Sequence, residues 1–295
     1  MNILVVTNMY PSEGDVSWRG SFVKEQVDEC RELSKNKVND MTVLDVFHIK
    51  ARVCGGSNFN YITSFFKLFV KVLFGRYHLV HCHHAFCVLL CAPFHRKIIY
   101  TVHEGALNNA STSPLIKLAI KLSARVIYVN KKAFDNSVKS KKYFLPCGID
   151  FDKFKPIDAP KRDYILFPAA PTRKEKNVGL LQKIESEIKG KYPHISIVYG
   201  GNIAREDMPT IMGNASMVIS IGDYESDGLV MKEAMAMNVP VISTDVGNAK
   251  YYLNDESGII IENSTSSLKD AISNILNYSQ SFLSGRKQLL NLHVD

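Results

Sequence analysis

Residues 217–244 read MVISIGDYESDGLVMKEAMAMNVPVIST. The run from Met217 to Ile221 is short, apolar and rich in β-branched residues, which predicts a buried strand. Val239 to Ser243 gives the next strand. Between them a small-residue turn, Ser226-Asp227-Gly228, opens an amphipathic helix, and two carboxylates, Glu225 and Glu233, stand either side of that opening. Strand, loop glycine and helix start present backbone N–H groups that have no partner within the helix, an arrangement suited to an anion. One acid before the turn and another two turns into the helix suit sugar hydroxyls. On spacing alone, an ordinary βα connection with two solvated acids is the default reading.

The same grammar extends in both directions. Upstream in the second half, Tyr164 to Phe167 and Ile195 to Tyr199 read as strands, with helices at Val178 to Lys189 and Met208 to Gly213. Downstream come a short helix closing at Tyr251 to Leu253, a strand at Gly258 to Ile261 and a helix at Ser266 to Leu276. The first half runs likewise. Strands are expected at 3–7, 41–47, 78–82, 97–103, 126–129 and 143–145, with helices at 21–33, 61–74, 83–92, 114–123 and 131–138. Loops are expected at 8–20, 52–60 and 104–113. Two runs of alternating strands and helices predict an α/β chain of two Rossmann-like doubly wound domains. The expected boundaries are 1–145, a turn-rich linker at 146–162, and 163–295. Ligands of such sheets bind at the carboxyl ends of the strands, so the site is expected in a cleft between the two domains.

Bulk properties narrow the class. The chain has 295 residues, 46% of them hydrophobic and 22% charged, a globular balance. No run of eighteen apolar residues marks a transmembrane helix, and MNILVVTNMYP reads as a first strand, not a signal peptide. Six scattered cysteines suit reduced thiols in a cytosolic protein. Residues 1–157 hold 22 Lys+Arg against 12 Asp+Glu, whereas residues 158–295 hold 14 against 17. A basic first half suits an anionic partner: nucleic acid, a membrane surface or an acidic substrate. The aromatic helix at 61–74, with Lys67 and Lys71, suits either a membrane interface with snorkelling lysines or a helix packed on the sheet with one wet edge. The run His81-Cys82-His83-His84 with Cys87 and Cys91 has no zinc-ligand spacing, since His81 and His83 share a strand face and Cys82 points away. No metal site is expected.

Several short stretches, in order, resemble one family. They are VVTNMYPS then RGSFVKEQV near the start, HCH at 81–83, TVHEG at 101–105, LPCGIDFDKFKP at 145–156, RKEKN at 173–177, and the Glu225/Glu233 pair. Together they resemble the retaining GT-B glycosyltransferases of family four, also called glycosyl transferases group 1. The resemblance implies transfer of a sugar from a nucleotide-sugar donor, expected to be a UDP-sugar, to a glycan or lipid-linked acceptor. It implies anomeric retention by front-face displacement, without a metal or cofactor. It implies cell-surface polysaccharide or glycolipid assembly, a cytoplasmic chain peripheral to the inner membrane face in contact with anionic lipid, and no nucleic-acid partner. Arg173 and Lys176 match the diphosphate cations, and Gly228 and Leu229 the phosphate cradle, with Ser226 and Asp227 in the same loop. Gly20 matches a loop glycine approaching the diphosphate, Glu233 the ribose acid, Glu225 the acid at the donor sugar, and His103 the histidine at that sugar.

The chain departs from the pattern in two places. Ser226 stands where the family usually has Gly, and Asp227 where it has an apolar or small residue, so Asp227 is expected to cap the helix with its carboxylate turned away. The final helix that crosses back to the first domain is expected to be short or absent. A nucleotide-sugar epimerase on the same scaffold and a non-catalytic nucleotide-sugar-binding subunit are the alternatives.

Overall fold

The structure, a computed structural model, describes residues 1–11, 20–35, 42–50, 57, 59–103, 114–158 and 163–293. The expected loop at 104–113 and most of those at 8–20 and 52–60 lie outside the described residues. The chain divides into two compact units, Met1–Pro146 and Cys147–Asp295.

In chain order the first unit contains β1 (Asn2–Thr7), α1 (Ser21–Lys35), β2 (Val43–His48), α2 (Phe59–Gly75), β3 (Leu79–Cys82), α3 (Ala85–Cys91), β4 (Ile98–Val102), α4 (Pro114–Leu122), β5 (Arg125–Tyr128), α5 (Lys131–Asp135) and β6 (Lys142–Phe144). Its six strands form one parallel sheet in the order β2-β1-β3-β4-β5-β6. Alternation along β1 sorts its side chains between two layers. Leu4 and Val6 join the core under α2, α3 and α4, while Val5 meets Val23 and Val27 of α1 on the opposite face. A sheet covered on both faces explains why the strands read as continuous apolar runs.

The second unit contains β7 (Tyr164–Phe167), α6 (Val178–Lys191), β8 (Ser196–Tyr199), α7 (Met208–Gly213), β9 (Met217–Ser220), α8 (Leu229–Ala236), β10 (Val241–Thr244), α9 (Ala249–Tyr252), β11 (Gly258–Ile261), α10 (Thr265–Asn277) and α11 (Gly285–Asn291). Its five parallel strands run in the order β11-β10-β9-β7-β8. Leu166, Val218 and Val241 face a core shared with α8, α9 and α11; Ile165, Phe167, Ile219 and Ile242 face α6 and α10.

The last helix is seven residues long. Residues 285–291 form α11, which packs on α8 with Leu289 buried. A side chain at Gly285 would collide with the Met235 backbone, with its Cβ 2.8 Å from the carbonyl oxygen. The Arg286 guanidinium donates to the carbonyls of Phe151, Phe154 and Ala236 and lies 4.6 Å from the Phe151 ring centroid. Charged hydrogen bonds to three carbonyls anchor this helix in the second unit.

The topology itself positions a site. Each unit begins with a strand that ends up inside the sheet, adds the second strand on one side, then crosses to the other. The reversal falls between β1 and β3 in the first unit and between β7 and β9 in the second. Loops leaving the carboxyl ends of those strands diverge and leave a crevice, the usual ligand position of doubly wound sheets.

Candidate functional site

In the second unit, two of the loops singled out from the sequence flank the reversal. The loop after β7 carries Arg173 and Lys176, and the loop after β9 carries Glu225 to Gly228. They are pinned together by backbone and amide contacts. The Asp223 N–H donates to the Glu175 carbonyl at 3.0 Å. Asn177, in the left-handed region at φ 51°, donates from Nδ2 to Asp223 Oδ1 at 2.8 Å and to Asn263 Oδ1 at 3.2 Å. Thr244, at the end of β10, both accepts from the Gly222 N–H and donates to its carbonyl.

Ion pairs dominate this locus. Lys176 Nζ donates to Glu225 Oε2, with both side chains mostly buried. Arg173 donates from Nε to Glu175 Oε1 at 2.8 Å, and this contact is the main reason that the Glu175 carboxyl is held below its ordinary range. Glu233, only 2% exposed on α8, takes Arg205 Nη2 on Oε1 at 2.6 Å, and the Arg205 guanidinium stands over the Phe154 ring. Phosphate binding at Lys176 or hydroxyl binding at Glu225 is therefore an exchange of partners.

Gly228 opens α8 at φ 97°, a conformation that strains any side chain. The expected cap by Asp227 is not formed: Gly228 occupies the cap position, and no side chain caps the helix. Asp227 is instead buried beneath the loop. Its Oδ2 accepts from the Cys147 N–H at 2.9 Å and from Lys232 Nζ at 2.6 Å, and its Oδ1 from Asn248 Nδ2 and the Tyr252 hydroxyl, each at 2.5 Å. Lys232 is fully buried, donates also to the Cys147 carbonyl and lies 5.2 Å from the Tyr252 ring centroid. Burial, then the neighbouring Asp227, pushes the Cys147 thiol up to about 12 and raises the Tyr252 phenol. The departure at Asp227 is thus a buried ion pair that ties Cys147 to the start of α8, with the carboxylate turned into the protein.

The first unit presents a different cluster. His81 and His83 lie on one face of the sheet edge, with ring centroids 4.3 Å apart, while Cys82 is buried in the opposite layer's core. His103, just past β4, stacks on His83 at 14° between planes, and His83 Nδ1 and His103 Nε2 are 3.0 Å apart. His81 Nε2 is 2.7 Å from Thr101 Oγ1, and Phe22 of α1 packs on His103. Burial lowers His81 to about 4 and His103 to about 3, and takes His83 well below the usual imidazole range. Lowered in this way, the three rings are neutral at physiological pH, and of His83 Nδ1 and His103 Nε2 one donates and the other accepts. Gly20 precedes α1 at φ 70°, packed so closely on the Met9–Tyr10 backbone that a Cβ would stand 2.7 Å from it. Among the described residues no three His, Cys, Asp or Glu side chains converge as a metal site.

Three partners escaped the sequence reading: Arg205, Lys232 and His83. A lysine amid the apolar run of α8, five positions after an unexpected acid, is the one usable signal. Arg205 lies in a loop with no motif, and His83 entered only within HCH and the His/Cys run, with no link to His103.

Residues 169–278 match the family described as Glycosyl transferases group 1. No curated protein matches the chain. Among solved structures, sucrose-phosphate synthase from Thermosynechococcus elongatus aligns with TM-score 0.72 at 16% identity, covering 99% of this chain and 94% of that one. HepE of Anabaena in complex with UDP and glucose aligns with TM-score 0.69 at 13% identity, covering 99% and 94%. A glycosyltransferase from Rickettsia africae aligns with TM-score 0.65 at 16% identity, covering 98% and 93%. The chain has the α/β fold of GT-B glycosyltransferases, two Rossmann-like units in sequence, and the group 1 match falls on the unit that carries Arg173, Lys176, Glu225 and Glu233.

Proposed function

We propose that this protein is a glycosyltransferase that moves a sugar from a nucleoside-diphosphate sugar to a glycan or lipid-linked acceptor with retention at the anomeric carbon. The observation that carries the reading is the pairing of Lys176 with Glu225 across the sheet reversal, beside the glycine-started helix α8, inside the segment that matches the group 1 family. Breaking a glycosyl–phosphate bond builds negative charge on the departing diphosphate. Fixed cations and backbone N–H groups at that point stabilise it more than they stabilise the bound substrate. Lys176 and Arg173 supply the charge, and the N–H groups of Gly228 and Leu229 supply the helix-start contact. Ser226 lies in the same loop.

On binding, the diphosphate takes Lys176 from Glu225. Glu225 is then released to accept from a donor-sugar hydroxyl, so donor binding arms the acid that reads the sugar. Glu233 reads the ribose hydroxyls with Oε1 anchored by Arg205. His103 is a neutral hydrogen-bonding group toward the sugar, held by His83, and Gly20 lets backbone approach the diphosphate. In the retaining step, the bond to the departing phosphate oxygen breaks as the acceptor oxygen bonds to the same face of the anomeric carbon. The acceptor's proton passes to that phosphate oxygen. The reading assigns the phosphate charge to protein cations and not to a metal ion.

UDP-sugar is the proposed donor class, supported by the aligned structures described with UDP and UDP-glucose. Polysaccharide or glycolipid assembly on the cytoplasmic side of the membrane is the proposed setting. Incubating the protein with UDP-, GDP- and ADP-sugars and following nucleoside-diphosphate release tests the activity. Release that depends on added acceptor and persists in a chelator is expected. Interconversion of donor sugars without release of diphosphate points to the epimerase instead.

A further inference from the structure

Two charged residues of the second unit have no part in the transfer step proposed above: Asp227 and Lys232. They are 3% and 0% exposed, and they pair at 2.6 Å. Stability alone does not account for the pair. A buried ion pair is often no more stable than a well-packed apolar pair of similar volume, because both charges lose their water. Lys232 also sits at the unfavourable end of its helix. It is the fourth residue of α8, and its N–H closes the first turn on the Gly228 carbonyl at 3.1 Å. A cation there opposes the helix dipole. Long side chains on a helix run back toward its N-terminus. The Lys232 ammonium follows that course past the helix start, donating to Asp227 and to the Cys147 carbonyl.

The place of Asp227 in the chain gives the pair a use. Asp227 immediately precedes Gly228, the residue at which α8 starts. A carboxylate at that point is drawn to the N–H groups and positive dipole end that bind an anion, and it repels a second anion there. In the structure it does neither. A carboxylate offers about four acceptor sites, and four donors fill them: the Cys147 N–H, Lys232, Asn248 and the Tyr252 hydroxyl. No side chain caps α8. Of the four partners only Lys232 is charged, so it alone offsets the acid as well as holding it. The Asp227 backbone is held too. Its carbonyl accepts from the Asn248 N–H at 3.2 Å, and a Cβ on Gly247 would stand 3.0 Å from that carbonyl oxygen and 3.2 Å from the Glu225 Cβ.

We propose that Lys232 is a positioning residue for the donor: by drawing Asp227 into the protein and neutralising it, Lys232 keeps the start of α8 open to a diphosphate. The role presupposes the donor site proposed above, in which Gly228 and Leu229 meet the diphosphate. Lys232 itself touches no donor atom. It acts through Asp227, and removing the acid should therefore remove the need for the lysine.

The test is titration calorimetry of the parent, Lys232→Gln and Asp227→Asn/Lys232→Gln with UDP and with uridine. The glutamine amide can still donate to Asp227 but carries no charge. Lys232→Gln should bind UDP at least about tenfold more weakly than the parent. Uridine, which lacks the diphosphate, should bind all three proteins alike. The double variant should return to within about threefold of the parental UDP affinity, since the two sites act as one. A role confined to holding the fold would weaken uridine and UDP together and leave the double variant no better than the single one. Either of those results overturns the proposal, as does equal UDP affinity in the parent and Lys232→Gln. Where Lys232→Gln does not fold, Asp227→Leu/Lys232→Met carries the test: near-parental UDP affinity is expected, and a folded double variant that has lost UDP overturns the role. No UDP binding by the parent defeats the donor site itself and the role of Lys232 with it; every other outcome bears on Lys232 alone.

Discussion

The two units repeat one topology and fill its reversal with opposite chemistry. Around the loops after β7 and β9, charge is dense and held in ion pairs: Lys176 with Glu225, Arg173 with Glu175, Arg205 with Glu233, Asp227 with Lys232. At the end of β3 and β4, three adjoining imidazoles, two of them stacked, have their values lowered by burial. The same scaffold thus supplies, in one copy, cations on carboxylate partners that a polyanion can displace. In the other it supplies buried hydrogen-bonding rings that carry no charge. The fold does not dictate which chemistry sits at the strand ends; the loop residues do.

The comparison breaks first at the buried pair. Lys232→Met leaves Asp227 charged and enclosed, and should lower stability by about 3–5 kcal/mol. Adding Asp227→Leu should recover part of it, although the Tyr252 hydroxyl then loses its acceptor. Urea unfolding of the three proteins measures this, and equal stabilities would show that the pair is not buried as described. Next in size, Lys176→Ala should reduce turnover roughly 10²–10³-fold, the range for removing one preorganised electrostatic contact, with the melting temperature within a few degrees of the parent. Steady-state diphosphate release measures it.

The neutral cluster makes a pH prediction. The folded-state values of His81 and His103 are lowered by burial to about 4 and about 3, whereas unfolded histidine titrates near 6.5. Below about 6.5 the unfolded chain binds more protons, so stability rises with pH there. The histidine contribution is fully present above about 6.5 and is lost as pH falls toward 4 and then 3. Urea unfolding between pH 7.5 and 5 should show the loss, and His103→Phe should flatten the slope. A slope unchanged by that substitution would place the titration elsewhere.

The smallest effect concerns His83. Its Nδ1 fixes the His103 ring, and a net hydrogen bond of about 1 kcal/mol corresponds to roughly fivefold in rate. His83→Phe should lower kcat by that order with little change in donor KM. His83→Asn, whose amide reaches the Nδ1 position, should restore most of it. Nitrogen-detected NMR of His103 should show tautomer mixing only in the Phe variant.

Much of this fold was legible because buried parallel strands leave uninterrupted apolar runs, such as Ile3–Thr7, Tyr164–Phe167 and Met217–Ile221, that need no partner to be recognised. The glycine at 228 was legible for a similar local reason: a strand, a small-residue turn and an amphipathic helix demand a sharp entry. What stayed hidden was pairing at a distance. Nothing in a linear reading joins Arg205 to Glu233 across 28 positions, or Cys147 to Asp227, because those contacts are created by packing α8 against its neighbours. Asp227 read as a helix cap because its sequence neighbours show only the turn; its partner, the buried ammonium of Lys232, is set by packing. The anchor of the last helix, Arg286, was hidden for the same reason, since it bonds carbonyls that belong to distant residues.

The central claim is that the charged locus of the second unit holds a nucleoside diphosphate by partner exchange at Lys176. Thermal shift of the parent and of Lys176→Ala with UDP, GDP, ADP and their sugars tests it most directly, because a ligand of the native state at a hundred times its Kd adds about 2.7 kcal/mol of stability. A rise in melting temperature with UDP and a UDP-sugar in the parent, largely lost in Lys176→Ala, is the predicted result. No rise with any nucleotide, or an equal rise in both proteins, would contradict it.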